Sequence, residues 1–454
     1  MKVLLISTTR EHLPDPVFPL GLAYVAAALE GAGHEVGAID LCFVADPDIE
    51  VEVARAVADV EPDVVGLSLR NIDSTTYPRT TCYHGLYQRV MRACRRSSGS
   101  FVVLGGAGFT IVPDEFMALL DADYGVVGEG EEAMPKLLAH IAGGARGPLP
   151  RGVVTRGSPR TVPRHLPDWG TRRPARRLFS AADYAEKGGM LNIQTRRGCP
   201  FGCIHCTYPR LEGSRFRLRP AVDVADELEH VIEETGVRHF FFVDAVFNHP
   251  REHALDLCGE LARRGLGASW TCYANPGRLD RELAGQMLKA GCEGVELGTD
   301  ALVDEVLASL GKGFTFADVQ ESTRSCLDVG LPFSHSIFLG APDEDLDRAR
   351  LAIDRLASLD ADSSLVTIGI RVLPGTALAD RAQRELGIER VGLDPVFYVS
   401  PALAPHLERL VEDLVAEHPS WVVPGLGRNY DERIQEVLRR SGKRGVVWTV
   451  LSRR

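Results

Sequence analysis

Three cysteines lie within one short segment of the chain, RRGCPFGCIHC at residues 196–206. Their spacing is C-x3-C-x2-C, which supplies three thiolates from a single loop. Three thiolates satisfy three irons of a cubane [4Fe-4S] cluster and leave the fourth iron open to a further ligand. The small residues Gly198 and Gly202 suit a tight loop in which backbone amides approach the sulfides. The segment therefore predicts an open [4Fe-4S] cluster held by Cys199, Cys203 and Cys206.

Two other interpretations of these cysteines remain open from the residues alone. Zinc sites commonly use four ligands, often as two separated pairs, and no second pair with suitable spacing follows. His205 would complete a zinc site only with awkward geometry, because it adjoins Cys206. Three unrelated loop cysteines are disfavoured, because clustered cysteines in a reducing compartment are typical of metal sites. The other cysteines are scattered, and we expect most to be small core or surface residues: Cys42, Cys82, Cys94, Cys258, Cys272, Cys292 and Cys326.

The cysteine motif directly follows a predicted strand, which is the first of six. Strands alternate with helices from residue 191 onward, and such alternation predicts a partial or full α/β barrel whose active residues lie where strands end. The predicted strands span residues 191–195, 240–243, 269–273, 294–297, 333–339 and 365–370, and the helices span 222–235, 252–264, 281–290, 318–329 and 346–359.

A second alternating region precedes the motif. Its predicted strands span residues 2–7, 35–40, 63–69, 101–104 and 123–127, with helices at 20–31, 49–60, 85–95 and 113–120 and another beginning after Gly128. Short connections between strands and helices imply a parallel sheet covered on both faces. The N-terminal region is therefore predicted to be a five-stranded, doubly wound (Rossmann-like) unit, and the whole chain belongs to the α/β class.

These patterns divide the chain into four parts. Residues 1–145 form the doubly wound domain, and residues 146–185 form a linker rich in Arg, Pro and Gly, with one strand near 152–155. Residues 186–374 form the barrel. Residues 375–454 form a mainly helical C-terminal extension. Its residues 395–401, Trp421 and Tyr430 are candidates for the lining of a substrate cavity, although aromatic residues at such spacing more often belong to the core.

The cysteine motif at the end of the first barrel strand resembles the signature of the radical S-adenosylmethionine (SAM) superfamily. The resemblance covers about residues 189–374 and implies that the open iron binds the amino and carboxylate groups of SAM, with one electron cleaving SAM to methionine and a 5′-deoxyadenosyl radical. His205 departs from the family, which usually has an aromatic residue before the last cysteine, but an imidazole can still stack.

Further SAM contacts follow from the same resemblance. Asp244, in the segment FFVDAVFN, matches the strand end where the family binds the SAM amino group, although a helix cap or turn residue is an alternative. Glu296, Thr299 and Asp300, in GVELGTD, are candidates for the SAM ribose. Arg196, Arg197 and Arg210 are the cations nearest the motif, and they would pair with an anionic substrate or only with acidic surface groups.

The N-terminal segments PLGLAYVAAAL, GHEV, LGG and VGEGE, in this order before the cysteine motif, resemble the cobalamin-binding domain of cobalamin-dependent radical SAM enzymes. Gly105 and Gly106 end a strand without side chains, so that backbone can approach a flat ring or nucleotide tail. A domain that keeps the fold but binds nothing is the alternative.

Two residues of this domain are singled out by the resemblance. Ser68 corresponds to a serine that hydrogen-bonds the cobalamin tail in related domains, and Arg70 replaces the leucine that usually follows it by two positions. A cation there would contact a phosphate, a substrate carboxylate or the cobalt face. The motif that carries a cobalt-ligating histidine is absent after the first strand, and His12 lacks its flanking residues. Cobalamin is therefore expected to lack a histidine lower ligand.

Composition limits the partners. The net charge of −11 is spread along the chain without a basic block, which disfavours nucleic acid, and no apolar stretch approaches the ~18 residues of a membrane helix. We expect a cytoplasmic protein that acts on a small molecule and takes electrons from a donor such as flavodoxin or ferredoxin.

The predicted activity is methylation of an unactivated carbon, or phosphorus, by a radical SAM methyltransferase of class B type that uses cobalamin. Two alternatives remain. One keeps both cofactors but catalyses a rearrangement, a cyclisation or transfer of another SAM fragment. The other is a cobalamin sensor with a structural cluster, which would require no SAM contacts.

Overall fold

The computed structural model describes residues 1–158, 161–168, 172–426 and 432–451. Within these ranges, no helix combines the length and the apolar character that crossing a membrane requires. Both predicted α/β sheets are present, and they are joined by buried contacts.

The N-terminal sheet contains five parallel strands: β1 (Lys2–Ser7), β2 (Glu35–Asp40), β3 (Val64–Ser68), β4 (Phe101–Gly105) and β5 (Tyr124–Val126). A short sixth strand, β6 (Val153–Val154), pairs antiparallel with β5, so the predicted five-stranded unit gains an edge strand from the linker. The order β2-β1-β3-β4-β5-β6 reverses direction at β1. Open α/β sheets of this order bind ligands beyond the carboxyl ends of the strands at that reversal.

Six helices cover this sheet: α1 (Leu20–Gly31), α2 (Ile49–Val60), α3 (His84–Ser97), α4 (Ala107–Ile111), α5 (Pro113–Leu120) and α6 (Gly130–Ala142). Val3 to Ile6 of β1 are all buried, as expected for a parallel strand packed on both faces. The short helix α4 is the one that the sequence pattern missed, because five residues are too few to show a period.

The connection between the N-terminal sheet and the barrel contains little regular secondary structure. It contains α7 (Ala181–Asp183), followed by the first barrel strand β7 (Leu191–Ile193). Beyond β7 come β8 (Arg196–Arg197), α8 (Tyr208–Leu211) and β9 (Arg217–Leu218), and β8 pairs antiparallel with β9. Residues 159–160 and 169–171 of the predicted linker lie outside the described ranges.

The barrel sheet is parallel and has the order β14-β13-β12-β11-β10-β7. Its other strands are β10 (His239–Phe242), β11 (Ser269–Ala274), β12 (Cys292–Asp300), β13 (Phe333–Leu339) and β14 (Ser363–Ile368), and the helices between them are α9 (Ala221–Thr235), α10 (Arg251–Arg264), α11 (Arg281–Lys289), α12 (Asp304–Ser309), α13 (Phe316–Val329) and α14 (Leu346–Ser358). The sheet has two edges, β7 and β14, so the barrel is partial.

Other parts of the chain cover both edges. At β7, the Asn192 side chain accepts a hydrogen bond from the backbone of Phe18 in the loop between β1 and α1. At β14, Val422 of the C-terminal extension exchanges backbone hydrogen bonds with Ser364 and Val366. Exposed strand edges invite unwanted pairing. The N-terminal domain and the C-terminal extension therefore complete the barrel wall.

The C-terminal extension is mainly helical, as predicted. It contains α15 (Ala377–Leu386), β16 (Phe397–Tyr398), α16 (Leu407–Glu417), α17 (Glu432–Arg440) and α18 (Val447–Leu451), and β16 pairs antiparallel with β15 (Ile370–Arg371) at the end of the barrel region. Arg439 of α17 forms a buried ion pair with Asp15 of the N-terminal domain at 2.7 Å. The backbone of Gly445 bonds to that of Gly189, just before β7. Residues 439–445 thus contact both the N-terminal domain and the segment that enters the first barrel strand.

Candidate active site

The cysteine loop begins at a corner between β7 and β8 that Asp244 holds in place. Asp244 follows β10 and is fully buried, and its carboxylate accepts hydrogen bonds from the Thr195 backbone (2.7 Å), the Thr195 hydroxyl (2.6 Å) and the Arg196 backbone (3.1 Å). Burial raises the pKa of Asp244, and these hydrogen bonds with the Arg196 charge oppose that rise. Both carboxylate oxygens are engaged. The structure therefore places Asp244 as a support of the loop, and its contact with SAM stays a prediction.

The loop itself is packed against two neighbouring segments. The Cys199 backbone donates to the Gly213 carbonyl and the Ile204 backbone donates to the Leu310 carbonyl, both at 3.0 Å. Gly198 has φ of +90°, and a Cβ there would lie 2.1 Å from the Arg215 carbonyl oxygen. Only glycine allows this approach. The local fold thus fixes the loop that carries the three thiols.

The donor set fits an iron–sulfur cluster better than a single ion. Burial raises the pKa of Cys206 to about 12 and also raises those of Cys199 and Cys203, so the thiols ionise only when a metal binds. In the described part of the chain, no three His, Cys, Asp or Glu side chains are close enough to share one metal ion. In a cubane cluster each thiolate binds a different iron, so the three sulfur atoms lie further apart than around one zinc ion. The separation of the three cysteine side chains therefore disfavours the zinc interpretation.

His205 and Asp300 lie together beside the cysteine loop. The His205 Nε2 atom is 3.5 Å from the Asp300 carboxylate, which also bonds the Lys312 ammonium at 2.7 Å. His205 Nδ1 is buried and has no hydrogen-bond partner among the described residues, and its ring meets Phe338 edge to face. An orphaned buried nitrogen next to the loop fits a site built for a further group. The sequence did not single out Lys312 for this contact.

The other two ribose candidates point in different directions. The Thr299 hydroxyl is buried and bonds His335 Nδ1 at 2.7 Å, while Thr323 holds His335 Nε2 at 3.0 Å. Burial lowers the pKa of His335 to about 3, so this network is neutral. Thr299 is thus occupied within the protein. Glu296 instead faces the barrel lumen, and the ribose roles of both stay predictions.

The lumen around Glu296 is aromatic. Tyr273 pairs in register with Glu296 and keeps 39% of its exposure although β11 is a central strand, so the lumen is open at this level. The Phe241 ring meets Tyr273 edge to face at 5.0 Å, and the Trp448 indole donates to Glu296 at 3.0 Å. Burial raises the pKa of Glu296 to about 7 against the lowering effect of Trp448. We call these four residues, with Tyr208, the lumen pocket.

Tyr208 and Trp448 were missed by sequence reasoning. Tyr208 follows Cys206 by two residues and lies close enough to Tyr273 to help raise the pKa of that phenol, so nearness to the motif was an available signal. Trp448 lies in an apolar C-terminal run that gave none. The predicted cavity residues lie elsewhere: Phe397 packs on Tyr77, Trp421 stacks on His418, and Tyr430 lies outside the described ranges.

The three arginines near the motif have protein partners. Arg196 is buried and bonds His253 at 2.9 Å, Arg197 pairs with Glu131 at 2.7 Å, and the Arg210 guanidinium donates to the Pro374 carbonyl at 3.1 Å. The acid that pairs with Arg197 is buried and does not lie on the surface, and contact of the three arginines with an anionic substrate stays a prediction.

The cobalamin candidates lie at the carboxyl edge of the N-terminal sheet. Ser68 ends β3 and Gly105 ends β4, next to the β1 reversal. A Cβ at Gly105 would meet only one atom, at 4.0 Å, so the backbone there is open to a ligand. Gly106 differs, since its Cβ would lie 2.7 Å from the Leu69 carbonyl oxygen. Gly106 therefore serves packing between adjacent loops.

Arg70 and His12 complete this edge. The Arg70 guanidinium lies 3.4 Å from the Asn71 side chain, and its charge acts on both Tyr208 and Tyr273, so Arg70 lies towards the barrel. His12 Nε2 bonds the Cys42 carbonyl at 2.7 Å. An open strand edge facing the lumen pocket fits cobalamin held between the two domains.

Comparisons with known proteins agree with this arrangement. Residues 6–138 match the family model of the B12 binding domain, and residues 193–356 match that of the radical SAM superfamily. A tryptophan 2-C-methyltransferase of Streptomyces laurentii is 27% identical over 83% of this chain and 74% of its own length.

Solved structures match the whole chain. The radical SAM methyltransferase TsrM of Kitasatospora setae, with cobalamin and a [4Fe-4S] cluster bound, is 25% identical with a TM-score of 0.87, over 99% of this chain and 97% of TsrM. The same enzyme with tryptophan and a SAM analogue bound matches equally well, over 98% of this chain. One conclusion follows from the N-terminal B12 binding domain, the three-cysteine loop at the first barrel strand and these matches. The chain belongs to the cobalamin-dependent radical SAM methyltransferases, whose cofactors are cobalamin, a [4Fe-4S] cluster and SAM.

Proposed function

We propose that this enzyme methylates a carbon of a small substrate that carries an aromatic ring with an N–H group, as tryptophan does. The observation that carries the proposal is the lumen pocket, in which the Glu296 carboxylate stands among Phe241, Tyr273 and Trp448. Aromatic walls favour ring stacking, and a carboxylate accepts a charge-assisted hydrogen bond from a ring N–H. The tryptophan seen in TsrM supports the same substrate class.

When bound, the cluster would supply an electron to SAM, and cobalamin would supply the carrier of the methyl group. Cys199, Cys203 and Cys206 would hold the cluster. The chain itself would orient the substrate through Glu296, with Phe241 and Tyr273 as the aromatic walls of the lumen. Ser68, Arg70 and the open Gly105 backbone would hold cobalamin on the opposite side. His205, Glu296, Thr299 and Asp300 remain our candidates for contacts with SAM, and Asp244 supports the loop.

We also propose a one-electron donor such as flavodoxin or ferredoxin, and a cytoplasmic location. All ten cysteines are free thiols, which suits a reducing compartment.

The test uses anaerobic enzyme loaded with cluster and cobalamin, with SAM labelled in its methyl group and a strong reductant. Tryptophan is compared with an analogue in which sulfur replaces the ring N–H. We expect labelled product and S-adenosylhomocysteine with tryptophan, and little product with the sulfur analogue. Equal methylation of both would overturn the N–H contact. 5′-Deoxyadenosine without methylated product would favour the non-methylating alternative.

Glu296→Gln gives the matched protein variant. The glutamine amide oxygen still accepts a hydrogen bond but carries no charge. The loss is therefore the difference between ~1.5–3 kcal/mol for a charged hydrogen bond and ~0.5–1.5 kcal/mol for a neutral one, and KM for the substrate should rise about fivefold or more. The Leu288→Ala variant changes an exposed side chain of helix α11, serves as the control and should keep the KM of the unmodified enzyme.

A further inference from the structure

Both ends of the cysteine loop are attached to the cobalamin domain through one carboxylate. Arg197 in β8 and Arg217 in β9 are cross-strand partners, and all three cysteines lie in the chain between them. Arg217 forms two hydrogen bonds to Glu129, at 2.7 and 2.5 Å. Arg197 lies 3.5 Å from Glu129 and 2.7 Å from Glu131. We call these four residues the bridging network.

The bridging network is buried and balanced in charge. Its side chains are between 3% and 12% exposed, and two guanidinium groups face two carboxylates. Removing one member of a buried ion pair leaves an uncompensated charge, which is strongly unfavourable. The two domains are therefore held in one arrangement at this point.

The network also contacts the backbone that shapes the loop. The Arg217 guanidinium donates to the Glu212 carbonyl at 2.6 Å, and the Glu212 carboxylate accepts from the Gly198 backbone at 3.1 Å. On the other side, Glu129 directly precedes α6, in the connection that leaves the carboxyl end of β5. This is the sheet edge that faces the barrel and holds the cobalamin candidates.

We propose that the bridging network couples cobalamin binding to cluster binding, with Arg197, Arg217, Glu129 and Glu131 as positioning residues. A cluster that orders the loop fixes both arginines, which in turn fix the connection between β5 and α6 at the cobalamin edge. Coupling between two sites is reciprocal, so each cofactor increases the affinity for the other. The proposal does not depend on the identity of the substrate.

The experiment measures the Kd of cobalamin by anaerobic visible titration, on protein with and without a reconstituted cluster. The ratio of the two constants reports the coupling and needs no turnover. For the unmodified protein we expect the cluster to tighten cobalamin binding by about fivefold or more, the lower end of typical coupling. A ratio of one would overturn the proposal.

Three variants separate coupling from stability. Glu129→Gln should bring the ratio towards one, and Glu129→Asp, which keeps the charge, should restore part of it. The double variant Arg197→Met with Glu131→Gln keeps the network neutral and still cuts one attachment, so it should fold and also lower the ratio. Asp73→Asn is the matched control, since Asp73 forms a buried 2.8 Å pair with Arg371 that joins the same domains. The Asp73→Asn variant should keep the ratio of cobalamin Kd values seen in the unmodified protein. The proposal would also be overturned if that ratio were unchanged in the Glu129 and Arg197 variants.

Discussion

Substitution of Gly198 by alanine tests whether close backbone packing is what shapes the cysteine loop. An alanine with φ near +90° costs ~1–2 kcal/mol in strain. Its Cβ would also lie 2.1 Å from the Arg215 carbonyl oxygen and 3.1 Å from that of Gly213. Overpacking against atoms that cannot move aside typically costs ~1–3 kcal/mol. The total destabilisation should therefore be about 2–5 kcal/mol.

Gly236→Ala is the matched control, because Gly236 has φ of +71° with no atom within 4 Å of the added Cβ. Gly236→Ala introduces the backbone strain but no overlap with neighbouring atoms. The loss in free energy of unfolding should therefore be about 1–3 kcal/mol greater for Gly198→Ala than for Gly236→Ala.

The assays are urea unfolding of the cluster-free protein and iron content after anaerobic reconstitution. The Gly198 variant should hold little iron, near the level of a Cys199→Ala variant, while the Gly236 variant should match the unmodified protein. If Gly198→Ala binds full iron and unfolds like Gly236→Ala, the reasoning from this contact is wrong.

Three more outcomes follow from the site. Asp244→Asn should lower stability by ~3–5 kcal/mol and lower iron content, because it removes the charge opposite the buried Arg196 and the oxygen that accepts from the Thr195 hydroxyl. Normal iron content with weakened SAM binding, measured by calorimetry, would instead assign Asp244 to SAM. Trp448→Phe removes the hydrogen bond that lowers the pKa of Glu296, so the pKa of Glu296 should rise above about 7. The acidic limb of the pH profile of kcat/KM should then move to higher pH. An unmoved limb would show that Glu296 need not be ionised. Burial lowers the pKa of His335 from 6.5 to about 3, so on acidification the unfolded chain binds the proton first, and the free energy of unfolding should fall below pH 6.5 by up to about 1.4 kcal/mol per pH unit. The urea midpoint should fall less steeply with decreasing pH in His335→Gln. Equal falls in the two proteins would contradict a neutral buried imidazole.

The elements and the cluster ligands could be predicted from the sequence because they depend on local patterns. Apolar periodicity marked β1, α1 and β13 at their observed bounds, and the spacing of Cys199, Cys203 and Cys206 marked the cluster loop. Two-residue strands such as β8 and β9, and the short helix α4, carry no period and were missed.

Tertiary structure alone decided which side chains face the lumen and which are used internally. Thr299 and Glu296 are three residues apart on one strand, yet one bonds a buried histidine and the other receives Trp448 from the far end of the chain. Arg197 adjoins the motif, but its partners Glu129 and Glu131 lie in the other domain. A local pattern records the spacing of neighbours, whereas partners distant in sequence are set by packing between domains. The sequence alone therefore identified the cysteine loop and the candidate cobalamin-binding segments. The tertiary structure determined how Arg197 joins the cysteine loop to Glu129 and Glu131 of the N-terminal domain.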